Sequence, residues 1–150
     1  MYSLTSGQLL LTTTGRADGI HYEFSKQFED ILIPETDLKM IINAMPKTTK
    51  EGLFFIADDE FVRKNGLTYV YRTIMGLEDF KGVFTNSSKD TMKKYDEANA
   101  AQKAIIEAMV VDRILSGEEV DANLLRDLGN RTGKNYMEIE PLEELTGKEG

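Results

Sequence analysis

The sequence predicts an α+β fold: a small N-terminal antiparallel sheet of about four to five strands, packed with a helical C-terminal half that contains one long helix. Three observations carry this. Short β-branched or alternating runs bounded by Gly, Pro and Asp fill residues 1–84. Apolar residues at helical spacing, with clear stop and start signals, fill residues 85–135. The last stretch, 136–150, is an acidic tail in which Glu138, Glu140, Glu143, Glu144 and Glu149 face one basic residue, Lys148. No internal repeat or linker divides the chain, so all 150 residues are read as one domain.

Gln8 to Thr14 is apolar and β-branched enough for a strand, and Gly15-Arg16-Ala17-Asp18-Gly19 supplies a turn. Ile20-His21-Tyr22-Glu23-Phe24 alternates and reads as the return strand, with Ile20, Tyr22 and Phe24 on one face. Ile31-Leu32-Ile33 reads as a third, short strand. Pro34 then opens a helix whose Leu38, Ile41, Ile42 and Met45 form one stripe, and Pro46 is expected to stop it. Leu53-Phe54-Phe55-Ile56 fits a buried central strand. Asp58-Asp59-Glu60 opens a short helix that closes at Asn65-Gly66.

Leu67 to Met75 reads as a strand on its β-branched and aromatic content, and Leu77 to Phe84 fits one helical turn. Asn86-Ser87-Ser88 offers cap oxygens for a long helix that runs from Lys89 to Leu115 and ends at Ser116-Gly117. Asp121 caps another helix with Leu124, Leu125 and Leu128 on its apolar side, stopped by Gly129 or Gly133.

Composition excludes several kinds of chemistry. The chain has no cysteine and one histidine, so disulfides, thiolate metal sites, cysteine nucleophiles and multi-histidine centres are ruled out. No metal or cofactor is expected, and no catalytic residue is assigned. The first residues lack a signal-peptide pattern and no apolar run is long enough for a membrane span, so a cytoplasmic location without membrane contact is expected. The glycosylation patterns at Asn86 and Asn130 carry no meaning in that setting.

The net charge of −8 is uneven: successive fifties of residues carry −1, −2 and −5. That balance opposes phosphate-backbone binding and makes direct nucleic-acid contact an unfavoured reading. It favours a protein partner with a basic surface.

Each motif has a bland account beside the functional one. Gly129-Asn130-Arg131-Thr132-Gly133-Lys134 has the wrong spacing for a phosphate loop and is better explained as a helix end. His21 is expected to face solvent, because nothing in its surroundings marks a triad. Asp58, Asp59 and Glu60 suit the first turn of a helix and lack the pattern of a calcium loop, while offering carboxylates to a basic partner.

Tyr69, Tyr71 and Arg72 carry residue types favoured at interface hot spots, and the reading as a strand puts both tyrosines on one face. The long helix has an unusually wide apolar arc. Ile106, Val110 and Ile114 form a second side. Packing between the sheet and the following helix would fill both sides; otherwise a second copy of the chain covers it, so a homodimer built on the Lys89–Leu115 helix is expected.

The function expected from this reading is that of a non-catalytic acidic binding protein. It would inhibit or modulate a larger protein machine by occupying a basic surface, in the manner of accessory factors that phages and mobile elements direct against host defences. Three alternatives come from other classes: a small DNA-binding regulator using the C-terminal helices, with Arg126, Arg131 and Lys134 toward DNA; a ligand-sequestering protein or small enzyme; and a phage structural subunit.

Overall fold

The computed structural model describes residues 1–141. The fold is mixed helix and sheet, but the expected single sheet is replaced by two small antiparallel pairs with two strands each. Strand β1 (Tyr2–Ser3) pairs with a distant partner, Phe54–Phe55. Strands β2 (Leu9–Thr12) and β3 (His21–Phe24) form a hairpin, with Leu9 opposite Phe24 and Thr12 opposite His21. Leu9, Leu11 and Phe24 are buried, whereas Leu10, His21 and Glu23 face outward, as alternation requires.

The expected strand at Ile31–Ile33 does not form. Pairing with the free edge of β1 runs instead through residues 28–31, by Phe28 N to Ser3 O, Ser3 N to Glu29 O and Ile31 N to Met1 O. That ladder ends at Ile31, Pro34 contributes no donor, and Leu32 is left 97% exposed. Phe28 takes a left-handed φ of 65°, which swings the chain onto β1.

Helix α1 (Glu35–Ala44) buries Leu38, Ile41 and Ile42 on the stripe read from sequence. Pro46 does not end the helical region. It occupies the first turn of α2 (Pro46–Glu51), where its fixed φ and missing N–H are tolerated. Strand β4 (Phe54–Phe55) follows, then α3 (Asp59–Lys64), capped by Asp58 and closed at Asn65 as expected.

Leu67–Met75 is a helix, α4 (Thr68–Thr73), not a strand. Leu67, Tyr71 and Ile74 stand at i, i+4 and i+7, and that stripe faces inward. With no strand alongside to satisfy its backbone, β-branched composition does not decide the conformation. A short helix, α5 (Leu77–Lys81), follows.

The expected long helix is two. α6 (Ser88–Glu97) is capped by Ser87, and α7 (Ala100–Leu115) by the Asn99 carboxamide, which accepts from Gln102 N at 2.8 Å. Ala98 between them is extended, at ψ 156°. Helix α8 (Ala122–Thr132), capped by Asp121, ends at left-handed Gly133, and a 3₁₀ turn at Tyr136–Glu138 buries Tyr136. The acidic tail from residue 142 onward, Glu143 and Glu144 included, lies outside the described residues.

Two apolar clusters result. One packs the β2–β3 hairpin against α1, β4 and α3; the other packs α5 to α8, with Leu4 and Tyr136, and Leu53 touches both. The wide apolar arc of α7 belongs to the second cluster. Ile106 and Val110 are fully buried there and Ile114 is nearly so, which places all three in the chain's own core and not on an open surface. A homodimer built on that side of α7 would have to displace other parts of the same core. The arc is wide because α7 is enclosed on two sides by the same chain.

Gln102, whose side chain is completely buried, ties the loop at Gly52 to the loop at Met75. Its Nε2 donates to Gly52 O at 3.1 Å and to Met75 O at 3.0 Å, while its Oε1 accepts from Met75 N at 2.8 Å. A Cβ on Gly52 would lie 2.4 Å from that Nε2, and Gly52 has a φ of +72°, so glycine is required on both counts.

Replacing Gln102 by Leu keeps the volume but strands three backbone groups. A loss of about 3 kcal/mol or more is expected, lowering the thermal midpoint by roughly 6–12 °C. Circular dichroism melts of Gln102→Leu and of the exposed control Gln8→Leu test this, and the control should change by less than about 0.5 kcal/mol.

Candidate functional site

The acidic triplet divides its work. The Asp58 carboxylate accepts from Phe61 N at 3.1 Å and caps α3. Glu60 pairs with Lys64 one turn on, at 3.0 Å, in an exposed contact worth little by itself. Asp59 makes no ion pair among the described residues.

Asp58 also stands on the rim of a groove with a volume of about 290 Å³. Three separate segments build it: Met1–Tyr2, Asp30–Leu38 and Ile56–Phe61. Its floor is the outer side of the N-terminal core, formed by Leu38, Ile56 and Phe61, with Ala57 and Ile33 beside them. Its charged lining side chains are Asp30, Glu35 and Asp58, all acidic. Two are ion-paired within the chain: Asp30 lies 3.2 Å from the Met1 amino group, and Glu35 lies 3.8 Å from Lys39. Lys81 sits over the outer ring of Tyr2, at 5.8 Å. Leu32 projects from the rim.

The groove therefore offers an apolar seat with carboxylates around it. That arrangement can take an apolar side chain flanked by Lys or Arg: the apolar group leaves water, and the rim pairs with the cations. Sequence reasoning reached Asp58 but missed Asp30, Leu32 and Glu35. The available signal was an apolar Ile31-Leu32-Ile33 run between an acid and Pro34, which reads equally well as a buried strand.

The tyrosine and arginine positions separate once Leu67–Met75 is helical. Tyr71 points inward: its phenol oxygen accepts from Ile56 N at 2.9 Å, and its ring stacks on Phe55 with centroids 5.3 Å apart. Burial pushes its phenol up to about 12, although the bond from Ile56 works against that. Tyr69 is 76% exposed and shares the outer side of α4 with Arg72, three residues on.

Arg72 lines a second, smaller cleft of about 170 Å³ with Asp79, Lys94 and Glu97. Burial would raise the Asp79 carboxyl, but the Lys94 ammonium at 2.7 Å and the Gly76 N–H at 2.9 Å together hold it below its ordinary value. Asp79 and Lys94 are thereby matched to one another.

Groups capable of acid–base chemistry are scattered. His21 faces solvent as expected, with Nε2 at 2.9 Å from Ala17 O. The Tyr22 phenol donates to Asp37, and that bond raises it. Of the basic residues near α8, Arg131 forks onto Asp96 at 2.9 and 3.1 Å, and Arg126 lies 3.4 Å from Asp127. Gly129 to Lys134 is the end of α8 and the turn after it.

Among the described residues no cluster of three His, Asp or Glu is arranged to hold a metal ion. Among them also, no helix is long and apolar enough to cross a membrane. No protein-family model, no curated protein and no solved structure matches the chain.

Tyr71→Phe should cost about 1–2 kcal/mol, because it leaves the Ile56 N–H without its acceptor. The phenol has a folded value above its ordinary 10.0, so its contribution is complete below pH 10 and is lost as pH rises toward 12. Denaturant titrations at pH 7, 10 and 11.5 should show a steeper alkaline loss for the parent than for Tyr71→Phe. Equal slopes would mean that Tyr71 is not buried as described.

Proposed function

We propose that this chain is a non-catalytic binding protein that modulates a larger protein machine by occupying a basic surface on it, with the groove rimmed by Asp30, Glu35 and Asp58 as the contact. The observation that supports this reading is the lining itself: exclusively acidic charged side chains around an apolar floor, with the exposed Leu32 beside it. The partner segment would insert one large apolar side chain above Ile56 and Phe61 and bring Lys or Arg to the rim. The apolar insertion supplies affinity, and the carboxylates supply steering and register. Asp59, which has no ion-pair partner among the described residues, extends the acidic rim along the start of α3.

The alternative of a DNA-binding regulator draws no support from α8, where Arg126 and Arg131 lie against acids of the same chain. The matched ion pair in the cleft beside Arg72 gives no particular support to an enzyme.

Affinity capture from the native host, followed by kinetics with the captured partner, tests the proposal. Because exposed charges are screened over about 8 Å at physiological salt, association should slow more than dissociation quickens as salt rises. Reversal of Asp58, Asp59 and Glu60 to Lys should weaken binding by about tenfold or more, equivalent to about 1.4 kcal/mol. Leu32→Asp should weaken it as well, while altering stability by less than about 0.5 kcal/mol. A partner that binds equally well at all salt concentrations and tolerates these changes would refute the groove as the contact.

A further inference from the structure

The outer edge of β3 is an unpaired strand edge. The bond from Thr13 N to Ile20 O sets the alternation of the hairpin ladder, making Leu11–Tyr22 and Leu9–Phe24 its hydrogen-bonded pairs. The N–H and C=O groups of His21 and Glu23 therefore point away from β2. Thr12 N, opposite His21, likewise turns out of the ladder, to the Met45 sulfur at 3.5 Å. Among the described residues no group bonds the outward N–H and C=O of His21 and Glu23, and both side chains are exposed. Natural edges of this kind are normally blunted by charge that repels a second strand. Here the two outward-facing residues carry complementary groups, an imidazole and a carboxylate two residues apart.

We infer that the β3 edge docks a second copy of this chain, the two β3 strands running antiparallel about Tyr22 to form a four-stranded sheet. In that register His21 lies opposite Glu23 of the second copy, and Glu23 opposite its His21. Both are hydrogen-bonded pairs, so the outward backbone groups are satisfied twice by one symmetry operation. Tyr22 meets Tyr22 at the centre. Ile20, 55% exposed in the single chain, comes beside Phe24 of the second copy. Shifting the register by two residues in either direction sets His21 against His21 or Glu23 against Glu23. The second of those opposes like charges across the strands, which is destabilising.

The pairing covers only five residues on each copy, much less than the roughly 1,600 Å² of a standard interface. The dimer is therefore weak and forms at high protein concentration. It leaves the acidic groove unused, so it stands or fails separately from the reading of that groove.

The chain has no cysteine, which permits a test specific to register. Residues in a hydrogen-bonded antiparallel pair have Cα atoms about 5.5 Å apart, within the range that a disulfide spans. Mixing His21→Cys protein with Glu23→Cys protein under mild oxidation should yield a cross-linked heterodimer. Either variant alone should cross-link several-fold more slowly, since neither residue faces its own copy.

Sedimentation of the parent at several hundred micromolar should show a monomer–dimer equilibrium. Glu23→Lys should raise its dissociation constant about tenfold, and the exchange His21→Glu with Glu23→Lys should restore it to within about threefold. Equal cross-linking in all three mixtures, a parent that stays monomeric at that concentration, or an exchange variant no tighter than Glu23→Lys would each overturn the inference.

Discussion

The carboxamide of Gln102 lies with no exposed surface between two loops from different parts of the chain, and the rest of the fold is arranged around it. One face of it holds both the N–H and the C=O of Met75, and the other reaches Gly52 O. A buried amide is tolerable only when its donors and acceptor are matched, because each unmatched group would cost about 1–3 kcal/mol. That condition constrains its neighbours. Gly52 has no room for a side chain. Asn99, which caps α7 just after the break from α6, accepts from Gln102 N and so fixes that residue in the first turn of the helix. Asn99 adds a bond of its own to Glu51 O at 3.2 Å, fixing the same loop a second time.

Positions on the surface trace back to this tie through a continuous set of contacts. Met75 anchors the end of α4, and α4 carries Tyr71, which accepts the Ile56 N–H and stacks on Phe55. On its other side β4 is held by β1, and the Leu53 carbonyl accepts from Leu4 N at 2.9 Å. Ile56 and Phe61 are then presented as the floor of the acidic-rimmed groove. Although its rim is charged and exposed, the groove rests on a floor fixed by buried hydrogen bonds. The position of that floor is set by contacts within the chain.

The charge of the chain is organised differently from its packing. Arg131 with Asp96, Lys94 with Asp79 and Arg113 with Glu118 are matched at short range. Among the described residues the side chains outside such pairs include both signs, with acids in excess. Overall composition reports that surplus correctly, but it is blind to location. Asp58 stands on the groove, Asp96 lies in an ion pair, and the two differ in role through their neighbours alone.

Features that depend on a few consecutive residues were legible in the sequence. Ser87 and Asp121 cap helices at the starts expected of them, Asp58 caps α3 from just before the first turn it was expected to occupy, the α1 stripe is buried as its spacing requires, and the β2–β3 hairpin turns where its glycines allow. Each is decided by local sterics and by hydrogen bonds a few residues long. Tertiary structure decided the rest. Tyr69 to Ile74 has strand-like composition, yet among the described residues no strand pairs with its backbone, and a core on one side selects a helix. Ala98-Asn99 holds neither Pro nor Gly, yet the chain turns there, with Asn99 capping α7 and its carboxamide bonded to Glu51 O in a distant loop.

The same division holds for the candidate site. Asp58 could be read from its place at a helix start. Asp30, Leu32 and Glu35 join it only when β1 draws residues 28–31 alongside and β4 delivers Ile56 beneath them. A sequence records which side chains are available. Which of them share a surface depends on contacts between residues far apart in the chain, and those form only once the backbone hydrogen bonds of the whole molecule are satisfied together.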